Sequence, residues 1–341
     1  MAVITVIGSG AMGSALSFPA RDNGNEVRLV GTMLDKEIIE RLLADGYHTN
    51  LKRTLPEGTK YYQLEELEEA LRGVDLIVGG ISSFGVDWFL QDMIPRLPQD
   101  IPILSVTKGM IGRQDGSMLP FPYLYKESYP DRSFSAIGGP CTSYELADRD
   151  QTQVCFCGDD IEALRRMKGL LETDYYHISL STDVVGVECA VAMKNAYALG
   201  VTLAVGLSEK RDGRIHYNSQ AALFGQSVRE MRRLLALTGG HDDNIVYGAG
   251  DLYVTIYGGR TRRIGTLLGS GLSFEEAMRE LQGVTLESIV IATRTADVVR
   301  ALIKRGAVDE ADFPLLLHID EILRNGAQVD IPWNRFETER T

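Results

Sequence analysis

The turn Gly8-Ser9-Gly10-Ala11-Met12-Gly13 follows directly on the apolar run Val3–Ile7 and opens a stretch of helical character over 11–21. Glycines in a G-x-G-x-x-G spacing between a buried strand and a helix allow a tight reversal. They also allow close approach of the backbone to a pyrophosphate and close packing of the helix on the strand. The helix N-terminus then offers amide hydrogens and a positive dipole end to phosphates. Such a unit predicts a parallel sheet with helices on both faces and a dinucleotide at the first turn. A purely structural glycine turn has the same spacing, so the flanking elements decide.

Those elements continue the alternation. Strands are expected at 3–7, 26–30, 74–79 and 101–106, with helices over 35–44, 64–72 and 86–94. Later strands are expected at 134–137, 153–156 and 175–179, with a helix over 161–171. Short apolar strands alternating with helices read as βαβ units in a doubly wound sheet. From Val184 the character changes, and helices are expected over 184–207, 219–238, 263–268, 273–281, 286–305 and 310–324. Ser273 with Glu275 and Glu276 reads as a capped helix start. A chain of 341 residues exceeds the span of one core. The expectation is a Rossmann-like α/β domain over 1–181 and an all-helical substrate-binding domain over 182–341. The polar tail after Pro332 is expected to be loosely held.

Charge and composition narrow the function. A net charge of −12 argues against a nucleic-acid surface, which needs clustered cations. The apolar start lacks a basic leader and is too short for a signal core. No uninterrupted apolar run reaches membrane-spanning length; the longest candidate, 184–207, carries Glu188, Lys194 and Asn195. Cys141, Cys155, Cys157 and Cys189 show no zinc-ligand spacing and read as reduced thiols of a cytoplasmic protein. No metal site is expected.

Several residues carry chemistry. After the second strand the chain reads Val30-Gly31-Thr32-Met33-Leu34-Asp35-Lys36. Asp35 comes late for a ribose-binding acid and reads as the opening of the next helix, whereas Lys36 could attract a phosphate; NAD and NADP both stay open. Lys108 stands just past the strand at 101–106, and Gly138-Gly139-Pro140-Cys141 follows another strand, at the edge where doubly wound sheets bind ligands. Lys194-Asn195 lies in the long apolar helix. In Tyr257-Gly258-Gly259-Arg260 the glycines allow close approach, and the guanidinium suits bidentate contact with a phosphate. Thr255, four residues after Asp251, shares its face if that segment is helical and could give a hydroxyl donor.

Taken in order, Gly8-Ser9-Gly10-Ala11-Met12-Gly13, Thr107-Lys108-Gly109, Gly138-Gly139-Pro140, Ala192-Met193-Lys194-Asn195, Gly250-Asp251-Leu252 and Tyr257-Gly258-Gly259-Arg260 resemble the NAD(P)-dependent glycerol-3-phosphate dehydrogenases. The resemblance runs from residue 1 to about residue 330. It implies a Rossmann-like domain with a helical domain of the 6-phosphogluconate-dehydrogenase-like kind. It further implies reversible reduction of dihydroxyacetone phosphate to sn-glycerol 3-phosphate, within glycerophospholipid metabolism. Lys194 matches the catalytic proton donor, its ordinary pKa near 10.4 expected to be lowered by burial and by a second cation. By the same resemblance Lys108 is that cation and helps hold oxyanion charge, and Asp251 orients Lys194. The implied substrate set is Lys108, Gly138, Asn195, Thr255, Arg260 and Thr261. The implied cofactor set is Gly8, Ser9, Gly10, Ala11, Met12, Gly13, Ser82, Lys108 and Glu287. A homodimer is expected from the prevalence of dimers among soluble enzymes.

Two departures bear on the substrate. The family usually has asparagine after its phosphate-binding arginine, where this chain has Thr261. Tyr217-Asn218-Ser219-Gln220 lacks the acid and base usual around its asparagine, and the loop at 208–214 is unusually charged. Another polyol phosphate or an unphosphorylated hydroxy-ketone therefore stays open. A β-hydroxyacid dehydrogenase shares the glycine turn and a catalytic lysine but does not predict Tyr257-Gly258-Gly259-Arg260 or Gly250-Asp251-Leu252. A non-catalytic NAD(P)-binding redox sensor has no need of Lys108, Lys194 and Asp251 together.

Overall fold

The protein is described here from a computed structural model that covers residues 1–113, 115–284 and 286–336. The chain forms two compact units. One comprises Met1–Lys108 and Pro120–Val187; the other comprises Gly109–Leu119 and the chain from Glu188 onward.

The first unit is built on an eight-stranded sheet. Its strands are β1 (Val3–Ile7), β2 (Glu26–Val30), β3 (Lys60–Tyr62), β4 (Leu76–Gly79), β5 (Ile103–Ser105), β6 (Phe134–Gly138), β7 (Thr152–Gly158) and β8 (Tyr176–Ser181), in the order β8-β7-β6-β5-β4-β1-β2-β3. The six strands from β3 to β6 are parallel, β7 runs antiparallel to β6, and β8 is parallel to β7. This is the 3-2-1-4-5-6 order of a dinucleotide-binding sheet with two strands added. Covered on both faces, β4 and β6 are buried throughout and read in sequence as continuous apolar runs. On one face Val6, Leu29, Val78 and Leu104 pack under Leu16, Ile39, Leu164 and Met167.

Among the elements that differ from expectation are an edge strand and a broken helix. β3 went unforeseen because Lys60-Tyr61-Tyr62 is a short edge strand that no apolar run announces. The helix expected over 86–94 is instead one helical turn (Val86–Trp88), a π-turn (Phe89–Met93) and a 3-10 turn (Ile94–Arg96). Pro95 has no amide with which to continue an α ladder.

The helices of the second unit that matter here are α1 (Val184–Asp212), α2 (Tyr217–Leu237), α3 (Ile245–Ile256), α4 (Gly259–Gly269), α5 (Phe274–Glu280), α6 (Glu287–Lys304) and α7 (Pro314–Asn325). The first four residues of α1 belong to the sheet unit. α1 is apolar all round because it is a core helix. By length and mean hydropathy it could cross a membrane, but 83% of its apolar window is buried in the protein. It also runs on to Asp212, so most of the expected charged loop is its last turn. α5 begins with the expected cap, Ser273 and Glu276 bonding reciprocally. α3 was missing from the expected helices because its two glycines and β-branched residues mask the helical period. The segment Gly109–Leu119, also unforeseen, carries most of a hairpin (Met110–Gly112 with Met118–Pro120) and groups with the helices. The Arg305 guanidinium at the end of α6 donates to the Asp115 carbonyl in this hairpin, and Gly112 lies against Val298. Of the tail expected to be loose, Trp333–Arg335 forms a 3-10 turn, and residues 337–341 lie outside the described residues.

One buried carboxylate ties two of these helices together. Glu230 of α2 is fully buried and accepts from the Leu315 and Leu316 amides in the first turn of α7 (2.8 and 3.0 Å) and from Gln226 Nε2 (2.8 Å). Burial pushes its pKa up from 4.5 to about 7, against those hydrogen bonds. The folded state therefore holds this proton more tightly than the unfolded chain. The associated stability is fully present below about pH 4.5 and is lost as pH rises through about 7, a change on the order of 3 kcal/mol. Thermal unfolding followed from pH 5 to 8 is expected to show a shallower pH dependence for Glu230→Gln than for the parent.

Candidate active site

The cofactor half begins where β1 ends. The Gly8 amide donates to the Val30 carbonyl of β2 (2.8 Å), and Gly8 turns the chain at φ +105°. A Cβ at Gly8 would lie 2.7 Å from the Gly80 carbonyl oxygen, and one at Gly13 would lie 2.9 Å from both the Gly8 oxygen and Gly80 Cα. Gly80, just past β4, is thus a further member of this crossing. Sequence reading passed over it, although the pair Gly79-Gly80 was a visible signal. The helix Ala11–Ala15 starts at Gly10 with no side-chain cap, so its first amides have neither an intrahelical nor a capping partner. The buried Ser9 hydroxyl has no hydrogen-bond partner among the described residues. Open amides over a cradle without side chains fit a pyrophosphate.

Asp35 immediately precedes the helix Lys36–Asp45, as expected, but does not cap it. Its Oδ2 turns back to accept from the Thr32 amide and hydroxyl (both 2.8 Å) and the Ser9 amide (3.2 Å). Ser82 is exposed after β4 at the start of a short turn. At the ends of β5 and β6, Thr107 Oγ1 donates to the Ile81 carbonyl (2.7 Å) and Lys108 Nζ to the Gly139 carbonyl (2.8 Å). The structure thereby brings Lys108 together with the Gly138-Gly139 turn at the carboxyl edge of the sheet, where such folds bind ligands.

In the helical unit, α3 packs very closely on α1. A Cβ at Gly248 would come within 2.4 Å of the Ala190 carbonyl oxygen, so only glycine lets the helices approach this far. One turn further along each helix, Lys194 Nζ meets Asp251 Oδ1 at 2.5 Å. The Asp251 side chain is 1% exposed and that of Lys194 14%, so a buried carboxylate anchors the ammonium of a largely buried lysine. Asn195 is half-buried beside it.

The arginine cluster divides by role. Arg260, second residue of α4, is exposed and makes no ion pair among the described residues. Arg262 instead donates to the Ile256 carbonyl (2.7 Å) and closes the end of α3. Thr261 is buried. Thr255 corrects an expectation: its hydroxyl donates back to the Asp251 carbonyl (2.7 Å), so its proton is committed to the helix and lone pairs are what it offers. Gln220, read above as a departure, is buried and donates to the His216 carbonyl (3.0 Å) at the start of α2. Glu287 is the half-buried first residue of α6.

A glycine turn of this form on a 3-2-1-4-5-6 sheet, with a helical unit that carries an anchored lysine, is the arrangement of nicotinamide-dependent dehydrogenases with a helical second domain. The chain belongs to one family within that class. Residues 3–164 match the model of the NAD-dependent glycerol-3-phosphate dehydrogenase N-terminus and residues 183–333 that of its C-terminus, and the chain is a member of this family. It is 33% identical over 335 residues to the NADP(+)-dependent glycerol-3-phosphate dehydrogenase of Archaeoglobus fulgidus, covering 96% of this chain and 97% of that one. It is 28% identical over 330 residues to the glycerol-3-phosphate dehydrogenase [NAD(P)+] of Desulfotalea psychrophila (95% and 93% covered). The crystal structure of the Coxiella burnetii glycerol-3-phosphate dehydrogenase shares the fold, with TM-score 0.80 at 24% identity and 98% and 97% covered.

Proposed function

We propose that the protein is an NAD(P)-dependent oxidoreductase that reversibly reduces dihydroxyacetone phosphate to sn-glycerol 3-phosphate. The observation that carries this reading is the Lys194–Asp251 pair, an ammonium held by a buried carboxylate. When bound, the nicotinamide supplies the hydride that reaches the substrate's C2. Lys194 delivers a proton to the carbonyl oxygen as charge develops there, and takes it back in the oxidative direction. Asp251 fixes the direction of the ammonium, and Lys108 adds positive charge for the oxyanion. Arg260 engages the substrate phosphate, with Asn195, Gly138 and Thr261 as further substrate-binding residues and Thr255 contributing only as an acceptor. The amides of residues 10–13 hold the pyrophosphate, with Ser9, Ser82, Lys108 and Glu287 as further cofactor contacts. The family models end at 164 and begin again at 183, which supports a cofactor domain over 1–181 and a substrate domain from 182. Cytoplasmic location, a homodimer and supply of glycerol phosphate for glycerophospholipids belong to the same reading.

The test follows absorbance at 340 nm with NADH and NADPH separately, offering dihydroxyacetone phosphate or dihydroxyacetone. Turnover of the ester is expected, with kcat/KM at least about 100-fold above that for the unphosphorylated ketone, the size of one lost bidentate charge contact. Equal turnover of both, or none of the ester by protein that binds cofactor, would move the assignment to another hydroxy-ketone.

A further inference from the structure

Resting on the cofactor reading, we propose that His48 and Asp35 are positioning residues for the dinucleotide turn. They grip the two peptide groups of Ser9 from opposite sides, and cofactor affinity falls when His48 gains a proton.

His48 lies in a short strand, Tyr47–His48, paired with Arg53–Thr54 outside the main sheet, and is fully buried. Its Nδ1 accepts from the Leu51 amide at 3.0 Å. A backbone N–H can only donate, so Nδ1 carries no proton and the neutral ring holds its hydrogen on Nε2. That Nε2 lies 2.8 Å from the Ser9 carbonyl oxygen and donates to it. One tautomer satisfies both bonds. On the other side the Ser9 amide donates to Asp35 Oδ2, which Thr32 holds through two further bonds.

Ser9 stands between Gly8 and Gly10, the residues of the turn with the widest conformational freedom. The amides that face a pyrophosphate follow immediately. An ungripped turn would be ordered at the expense of binding free energy; the grip from residues 26 and 39 positions away meets that cost during folding. One oxygen of the Asp35 carboxylate is thus already occupied by three donors.

Protonation of His48 would place a second N–H against the Leu51 amide, two donors face to face in a buried site. The contact cannot persist, and the ring's hold on Ser9 goes with it. Burial lowers the His48 pKa below its ordinary 6.5, while its bond to Ser9 and the charge of Asp35, the charged group acting on the ring, pull the other way. The turn is therefore gripped at neutral pH and released as pH falls below that ordinary value.

The experiment measures NADH dissociation constants by fluorescence between pH 8 and 5.5 for the full chain and for His48→Leu, His48→Gln and Asp35→Ala. NADH is used because it lacks the titrating 2′-phosphate. At pH 8 the leucine and alanine variants are expected to bind about tenfold more weakly, with the loss in Kd and cofactor KM and little in kcat. Glutamine keeps a donor for Ser9 and cannot titrate. It is expected to restore most of the affinity and to flatten the weakening that the parent shows on acidification. If glutamine and parent weaken alike with falling pH, or if folded leucine and alanine variants bind as the parent does, the proposal is overturned while the cofactor reading stands. A parent that binds neither NADH nor NADPH at pH 8 overturns both.

Discussion

Replacing Lys194 with alanine is expected to lower kcat by about 10³-fold while leaving the cofactor dissociation constant within roughly threefold of the parent. General acids contribute on the order of 10²–10⁴ to rate, and an ammonium 2.5 Å from a buried carboxylate is placed for that role. Asp251 acts through the lysine, so Asp251→Asn is expected to cost less, about 10²-fold. Because the two form one unit, the double variant should be no slower than Lys194→Ala alone. Removing the lysine also leaves a carboxylate 1% exposed without the ammonium it faces, at about 3–5 kcal/mol of stability. Melting curves of the single and double variants separate that loss from the chemistry, and Asp251→Asn should recover part of it. Steady-state turnover with saturating cofactor is the deciding measurement. A Lys194→Ala enzyme that keeps more than a tenth of parental kcat would remove the lysine from the reaction.

Arg260→Ala is the second large effect. kcat/KM for dihydroxyacetone phosphate is expected to fall about 10²-fold, mainly through KM, since a guanidinium–phosphate contact of two charge-assisted bonds is lost. Among the described residues the exposed side chain makes no ion pair, so the melting temperature should stay within about 1 °C. Residual turnover of unphosphorylated dihydroxyacetone should not change, because that substrate has no phosphate to lose. Arg262→Ala is the contrasting control: its guanidinium closes the end of α3, so stability and not KM should suffer. If the two variants exchange these phenotypes, the phosphate is read by Arg262.

The legible parts of the molecule were those where local chemistry and tertiary role agree. Val3–Ile7 is apolar because it is covered on both faces, and Gly8 and Gly13 are glycines because backbone must pass close to backbone. The ordered motifs placed Lys194 and Asp251 together in role, and the structure brings them to one contact. Features set by distant partners stayed hidden. Gly80 matters only because Gly8 and Gly13 fold onto it. Asp35 reads as a helix opener, yet its carboxylate turns to Ser9, 26 residues away. Thr255 reads as a donor until the helix around it supplies a carbonyl four residues back. His48 carries no motif at all; its tautomer and its grip exist only once Leu51 and Ser9 surround it.

The hairpin over 109–119 has a consequence for how such proteins can be recombined. The polypeptide passes between its two units at three places, after Lys108, after Leu119 and after Val187, so neither is an unbroken length of chain. A chimera that takes residues 1–181 from one parent and the remainder from another would import a foreign roof for α6, with its own partners for Arg305 and Val298. The helical part expressed alone would lack that roof altogether. Shuffling within the family is thus constrained to parents matched along this hairpin, and the two units are bound to be inherited as a pair.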